Sequence, residues 1–258
     1  MIKTWLVARV PARHRTRLRY HYRALWGRLD RELALARHLL EPGRGVADVG
    51  ANTGLYTYAF GRSTRVDAFE PLPEPARILC ALADTLPAAR VHQVALSCTR
   101  GTATLYVPRI GGQAHSEQAR FTPMAGPHDA IVVDVRTLDE YALENVGLVK
   151  IDVEGHEVDV LAGAADTIRR ERPVLLVEIE QRHRQTDVAT AFSAIAAMGY
   201  GGYFTNGHGQ LHPIADFRYE RDQAPYLARM TDPRYVNNFL FVHESDQRVT
   251  ALLARHFR

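Results

Sequence analysis

Val174-Leu-Leu-Val-Glu-Ile-Glu180 places apolar side chains at consecutive positions, directly after Pro173. Side chains along a strand point to opposite faces in turn, so an unbroken apolar run predicts a strand covered on both sides, as in a parallel sheet. Gly45-Val-Ala-Asp-Val49 and Leu148-Val-Lys-Ile-Asp152 read the same way, and Val66-Asp-Ala-Phe-Glu70 and Arg90–Leu96 are further strands. Helical stretches separate them: from the turn at 50–54 to about Arg62, from about Pro73 to Leu86, and after Asp152 with Val160, Leu161, Ala164 and Ile168 on one face. Val188, Phe192 and Ile195 phase a further helix, ended by Gly199. Strand and helix alternating in this way predict a doubly wound α/β domain. Two stretches break the rhythm. Residues 101–136 read as a hairpin insertion, with Thr102–Val107 and Ile131–Val135 around a loop at 108–130 and a capping box at Thr137-Leu-Asp-Glu140. Residues 200–243 read as a final pair of strands, the last being Phe239–His243.

Composition narrows the class. With 258 residues, 46% hydrophobic and 24% charged, the chain has the profile of a soluble globular protein, not of a disordered or collagenous one. No run approaches the roughly 18 apolar residues of a membrane span. Two cysteines, Cys80 and Cys98, make neither a disulfide framework nor a metal-ligand spacing, and the first residues offer only a short apolar run. The expectation is a cytoplasmic protein. Its charge is unevenly spread: residues 1–29 hold eight Lys/Arg and no Asp or Glu. Leu18, Tyr22, Leu25, Trp26 and Leu29 recur there at helical spacing, which predicts a helix packed on the core with a solvated Arg face. The sharper reading is contact with an anionic surface, such as phospholipid at the inner face of the membrane or a phosphorylated glycan carrier.

The most informative turn is Asp48-Val-Gly50-Ala-Asn52-Thr-Gly54. Gly50 permits a sharp exit from the strand, and Gly54 a close approach of helix and ligand. A dinucleotide loop needs a middle glycine so that the backbone reaches a pyrophosphate, and here that position is Asn52. Twenty residues after Gly50, Glu70 ends the next strand, where an acid can accept both hydroxyls of an adenosine ribose. A nucleoside cofactor without phosphates fits both facts. S-adenosylmethionine (SAM) is such a cofactor, with its adenosine on Glu70 and its methionine portion near Gly50 and Asp48; the product is S-adenosylhomocysteine (SAH).

With these residues in view, the sequence resembles the FkbM family of SAM-dependent methyltransferases over about residues 43–243. The matching stretches are Asp48–Thr57, Phe69-Glu-Pro71, Val94–Ser97, Val149–Glu157 running into Val160–Ala164, and Pro173–Ile179. The resemblance implies a class I, Rossmann-like methyltransferase fold: a doubly wound, mostly parallel, seven-stranded sheet whose last strand is antiparallel. It places Asp48, Gly50, Asn52, Gly54, Tyr56, Thr57, Glu70, Pro71, Val94, Ala95 and Asp152 at the cofactor. It also implies methyl transfer to a hydroxyl of a sugar, a glycan or a polyketide-type natural product. Residues 1–42 then form a basic helical extension, and residues 43–258 the catalytic domain. Gln93 departs from the family's usual Asn near adenine. The Gln113-Ala-His115-Ser116-Glu117 stretch departs from the family's Ser-Leu pair in a loop facing the acceptor, so the acceptor is not inherited from relatives.

Ligands of open α/β sheets lie beyond the carboxyl ends of the strands. Asp152 and Glu154 end one strand and Glu178 and Glu180 the next, each pair pointing one way. Asp152 is the expected methyl-transfer centre, with His156, Glu178 and His183 as alternative bases. Asp152, Glu154, Glu178 and Glu180 are also the oxygen set that would hold a divalent Mg²⁺ or Ca²⁺, although no spacing demands a metal. Tyr203, His208, His212, Tyr219, Tyr226, Asn237 and Asn238 are candidates to shape the acceptor pocket. Other readings remain open. The basic arm motivates a nucleic-acid methyltransferase, opposed by Ile151-Asp-Val-Glu-Gly155 where base-methylating enzymes carry an Asn/Asp-Pro-Pro-aromatic motif. A non-catalytic SAM-binding module and a nicotinamide dehydrogenase are further alternatives.

Overall fold

The computed structural model describes residues 10–27, 29–184 and 186–256. Two helices, α1 (Ala12–Leu25) and α2 (Arg31–Leu39), precede β1 (Gly45–Val49), α3 (Leu55–Gly61), β2 (Val66–Phe69), α4 (Pro73–Ala83), β3 (Ala89–His92) and β4 (Ala95–Leu96). Next come β5 (Gly101–Ile110), β6 (Gln113–Ala114), β7 (His128–Arg136), β8 (Val146–Ile151), α5 (Glu157–Ala162), α6 (Ala165–Glu171) and β9 (Val174–Glu178). The chain continues through α7 (Val188–Ala196), β10 (Tyr200–Thr205), β11 (Leu211–Pro213), α8 (Tyr219–Asp222), β12 (Asn238–His243) and α9 (Gln247–His256).

The main sheet has eight strands in the order β11-β10-β12-β9-β8-β1-β2-β3. Strands β3, β2, β1, β8 and β9 run parallel, and β12 inserts antiparallel between β9 and β10. This is the class I methyltransferase arrangement with an antiparallel last strand, enlarged by one short edge strand, β11, paired to β10. The apolar run that opened the reading divides between the faces of the sheet. Val174 and Leu176 pack with Val46, Leu148, α2 and α4, while Leu175 and Val177 pack with Ala47, Val149, α5, α6 and α7. Each such aliphatic side chain stabilises the fold by about 1.5–3 kcal/mol.

Residues 101–136 form β5 and β7, an antiparallel pair registering Tyr106 with Ala130, in a second sheet ordered β4-β7-β5-β6. That sheet has its own small core of Leu72, Ala95, Leu105, Val107, Val133 and Val135.

Several local expectations change. Arg90–Leu96 is two strands: the chain turns after His92, and Ala95–Leu96 leaves the main sheet to pair with β7. The final pair of strands is three, β10 to β12. The helix expected to carry Val160 through Ile168 on one face is two helices, broken at Gly163, where a Cβ would lie 1.9 Å from the Ser97 carbonyl oxygen. Only half of the capping box forms: the Glu140 N–H donates to Thr137 Oγ1 at 3.3 Å, but the Glu140 carboxylate turns to Arg136 at 3.7 Å. The result is a single 3₁₀ turn.

Of the apolar stripe only Leu29, beyond the end of α1, packs on the core. Thr16 and Tyr20 are buried, whereas Leu18, Leu25 and Trp26 are 40%, 84% and 65% exposed. The helix docks through hydroxyls and a ring: Thr16 Oγ1 donates to the Thr53 carbonyl, Arg37 donates to Tyr20 Oη at 3.3 Å, and Tyr20 meets Tyr58 edge-on. Among the described residues, no helix is long and apolar enough to cross a membrane.

Candidate functional site

A cavity of about 530 Å³ opens beyond the carboxyl ends of β1, β2, β8 and β9. Its size falls in the roughly 300–1,000 Å³ range of small-molecule sites. The turn after β1 shapes its floor. Gly50 has φ +77°, and a Cβ there would lie 1.8 Å from the Asp152 carbonyl oxygen, so only glycine lets β1 and β8 exit side by side. Asn52 has φ 49°, a left-handed conformation that asparagine tolerates, and its Oδ1 accepts the Thr53 N–H at 2.7 Å.

Glu70 braces this turn. Its Oε2 accepts the Asn52 N–H and its Oε1 the Leu72 N–H, both at 2.8 Å. Burial raises its pKa to about 7, against the lowering effect of those N–H groups. Asp48 is fully buried beneath the turn and accepts a hydrogen bond from Thr57 Oγ1 at 2.5 Å. Burial lifts it to about 6, with Thr57 and Lys150 opposing.

The far wall is built around Lys150, which lies in β8 and is 1% exposed. Its Nζ sits 3.7 Å from Asp152 Oδ2, 3.9 Å from Glu178 Oε2 and 3.4 Å from Asn238 Oδ1, and 5.2 Å from the centre of the Tyr56 ring. Burial favours the neutral amine, but Asp152 and Glu178 outweigh it and favour the charged ammonium. Tyr56 in turn donates to Asp30 Oδ2 at 2.8 Å. Burial and the neighbouring Asp152 push Glu178 well above the carboxylate range, with Lys150 opposing. Asn237 Nδ2 donates to Glu178 Oε1 at 2.7 Å.

Asp48, Gly50, Asn52, Tyr56, Glu70, Pro71, Val94, Ala95 and Asp152 all line this cavity. Two others of the expected cofactor set do not. Thr57 is buried behind it as the partner of Asp48, and Gly54 faces Leu79 and Leu82 of α4, so it serves helix packing and not ligand approach. Among the expected catalytic residues, Asp152 and Glu178 line the cavity and the two histidines do not. His156 lies beside a second, smaller cavity of about 290 Å³, bonded to Ser97 Oγ at 2.8 Å and with its ring tilted 56° to that of Phe121 at 4.5 Å. His183 is buried with Glu154 at 2.5 Å and Glu180 at 3.4 Å. Those carboxylates overcome the effect of burial and raise His183 to about 9, so it is protonated at neutral pH and unable to accept a proton.

The four carboxylates considered for a metal divide into two groups. Asp152 and Glu178 face Lys150, whereas Glu154 and Glu180 gather with His183, their ligand atoms within 4.8 Å of one another. Arg182 pairs with both Glu154 and Glu180, so two carboxylates meet two cations and the group is neutral without a metal. Of the acceptor-pocket candidates, Asn237 and Asn238 line the cavity, and Tyr203, His208, His212, Tyr219 and Tyr226 do not; Ser116 and Glu117 reach it from the 108–130 loop. Gln93 is exposed outside it. Lys150, Thr16, Arg19 and Arg23 line it without having been expected there. Lys150 was visible only as a charge inside an apolar strand, and nothing local to α1 points to a cavity.

A doubly wound sheet with an antiparallel last strand, a glycine turn after β1 that carries Asn52 in place of a middle glycine, and a carboxylate ending β2 defines a class I methyltransferase. The description "Methyltransferase FkbM domain" matches residues 48–203, and the chain belongs to the FkbM family of SAM-dependent methyltransferases. Over 242 residues it is 28% identical to the AMB antimetabolite synthetase AmbE of Pseudomonas aeruginosa, covering 75% of this chain and 11% of that protein. The chain thus spans about a tenth of the length of this curated relative. The crystal structure of an FkbM methyltransferase from Methylobacillus flagellatus KT superposes with TM-score 0.50 at 16% identity, over 92% of this chain and 57% of that one. A TehB-like SAM-dependent methyltransferase from Corynebacterium glutamicum gives TM-score 0.46 at 11% identity, over 88% and 96% of the two chains. At these identities the structural likeness concerns the fold alone.

Proposed function

We propose that this chain transfers a methyl group from SAM to a hydroxyl of a sugar, a glycan or a related natural product. The observation that carries the reading is the pair Asp152 and Glu178, facing the cavity on either side of the buried Lys150 ammonium. An aliphatic hydroxyl is a weak nucleophile until its proton is leaving, so the reaction needs a base of high enough pKa at the acceptor oxygen. Glu178 answers that need once ionised beside the Lys150 ammonium: burial strengthens its carboxylate as a proton acceptor, and Asn237 holds it in place.

SAM supplies the methyl group on a positively charged sulfur and departs as SAH. Gly50, Asn52 and Glu70 would hold the nucleoside, with Glu70 accepting from the ribose hydroxyls, and Val94 and Ala95 would border the base. Asp152, at the cavity wall, would face the sulfonium and stabilise its positive charge. Glu178 takes the hydroxyl proton as the oxygen forms its bond to the methyl carbon. Lys150 holds both carboxylates in place and offsets their mutual repulsion. A positioned base contributes about 10²–10⁴ in rate, and in-line placement of the hydroxyl up to about 7–11 kcal/mol. The amides of Asn237 and Asn238 suit a polyol, and the similarity to part of an antimetabolite synthetase supports the natural-product side of the reading.

The test is transfer of labelled methyl from SAM to a panel of sugars, glycolipids and hydroxylated natural products, with the product bond located by mass spectrometry. An O-methyl product supports the proposal; methyl on nitrogen or on a nucleic acid overturns it. For a partner beyond the acceptor, we infer peripheral contact with an anionic membrane through α1. The exposure of Leu25 and Trp26 on an arginine-rich helix supports it.

A further inference from the structure

The amino-acid end of SAM carries three charges: a sulfonium, an ammonium and a carboxylate. The wall of the cavity around Gly50 is acidic, with Asp48, Glu70, Asp152, Glu154 and Glu178. These groups attract the sulfonium and the ammonium, and repel the carboxylate. The carboxylate therefore needs a cation elsewhere in the same cavity. Among the described residues that line it, the cations are Lys150, Arg19 and Arg23. Lys150 is already shared between Asp152 and Glu178.

Arg19 and Arg23 both come from α1, four residues apart and therefore on one face of the helix. Arg19 Nη1 lies 3.4 Å from Thr53 Oγ1, and Thr16 on the preceding turn bonds the Thr53 carbonyl. The guanidinium thus stands over the same 50–54 turn against which the methionine portion is expected. Burial, with Arg23 and Arg15 beside it, depresses Arg19 below its ordinary value; Glu117 opposes this only partly. Arg23 has neither a hydrogen bond nor an ion pair among the described residues. An exposed guanidinium at the cavity rim crowded by like charge, next to a second one without a hydrogen-bond or ion-pair partner among the described residues, is a site for an anionic oxygen group.

We propose that Arg19 and Arg23 clamp the carboxylate of the cofactor, so that α1 is part of the SAM site and not only a basic extension. This assignment rests on the cofactor alone and holds whatever acceptor is methylated.

The test is isothermal titration of the full chain with SAM and with decarboxylated SAM, which keeps the sulfonium and the ammonium. Wild type binds decarboxylated SAM about tenfold to a hundredfold more weakly, the range of a charge-assisted hydrogen-bonded pair. Arg19→Gln and Arg23→Gln weaken SAM by a similar factor and leave the affinity for decarboxylated SAM unchanged. Equal losses for both ligands overturn the proposal and assign the arginines to helix docking. Unchanged SAM affinity with weakened competition by inorganic phosphate or a carboxylate against the acceptor also overturns it, and assigns them to an anionic acceptor. Arg23 makes no hydrogen bond to the body among the described residues, whereas Arg19 reaches Thr53, so the Arg23 variant serves where Arg19→Gln lowers folding yield. Failure of wild type to bind SAM at all would instead count against the cofactor assignment.

Discussion

Glu70 illustrates how one side chain couples the turn to the ligand. Its carboxylate already accepts two backbone N–H groups, yet burial lifts it to about 7, so near neutrality it is partly protonated. Ribose hydroxyls donate to the ionised form, so SAH affinity should rise with pH, by up to about tenfold per unit below that value and level above it. Titrations from pH 6 to 8 check this, and Glu70→Gln should bind more weakly with a flatter profile. Glu178→Gln separates chemistry from binding. It should lower kcat by about 10²–10⁴ while changing SAH affinity little. Equal losses in both, measured by turnover and calorimetry, would remove Glu178 from the role of base. Asp152→Asn is expected to depress turnover more than SAH binding for the same reason.

At the level of elements, the β1–α3 turn and the α1 helix decide the shape of the site. Gly50→Ala drives a Cβ into the Asp152 carbonyl and forces alanine to φ +77°, so both the turn and the end of β8 must shift. We expect a lowered Tm and loss of SAH binding by thermal shift and calorimetry; near-wild-type affinity would show that the turn is not at the cofactor. Helix α1 presents two different faces. The one with Thr16, Tyr20, Arg19 and Arg23 meets the body and the cavity, and the one with Leu18, Leu25 and Trp26 is left to solvent. Trp26→Ser with Leu25→Ser should reduce co-sedimentation with anionic vesicles and leave SAH affinity intact. Equal sedimentation of variant and wild type would remove the membrane contact.

Across the whole molecule, the charge cluster of Glu154, Glu180, Arg182 and His183 ties the loop after β8 to the loop after β9, reaching the cavity wall at Glu154. Its pH dependence has a definite sign. His183 is raised from 6.5 to about 9, so its contribution is complete below pH 6.5 and is lost as pH rises through 9. Glu180 is lowered from 4.5 to about 2, because Arg182 and His183 outweigh burial, so its contribution is complete above pH 4.5 and is lost as pH falls through 2. Denaturant midpoints should therefore fall between pH 6.5 and 9, and His183→Gln should flatten that fall. A variant with the same alkaline slope as wild type would refute the assignment.

What could be read along the chain was whatever depends on near neighbours. Consecutive apolar residues in β8 and β9 declared a doubly covered sheet, and Gly50 with Glu70 marked the turn that floors the cavity, because strand period and turn geometry are local properties. Tertiary packing decided the rest. It carried His156 to a second cavity and enclosed His183 between carboxylates, although both lie near β-strand ends in sequence. It turned Leu18, Leu25 and Trp26 outward and set two arginines of α1 at the rim of the cavity. Which face of a helix is buried, and which charge meets which, depends on groups brought together from distant parts of the chain, and no local spacing encodes that meeting.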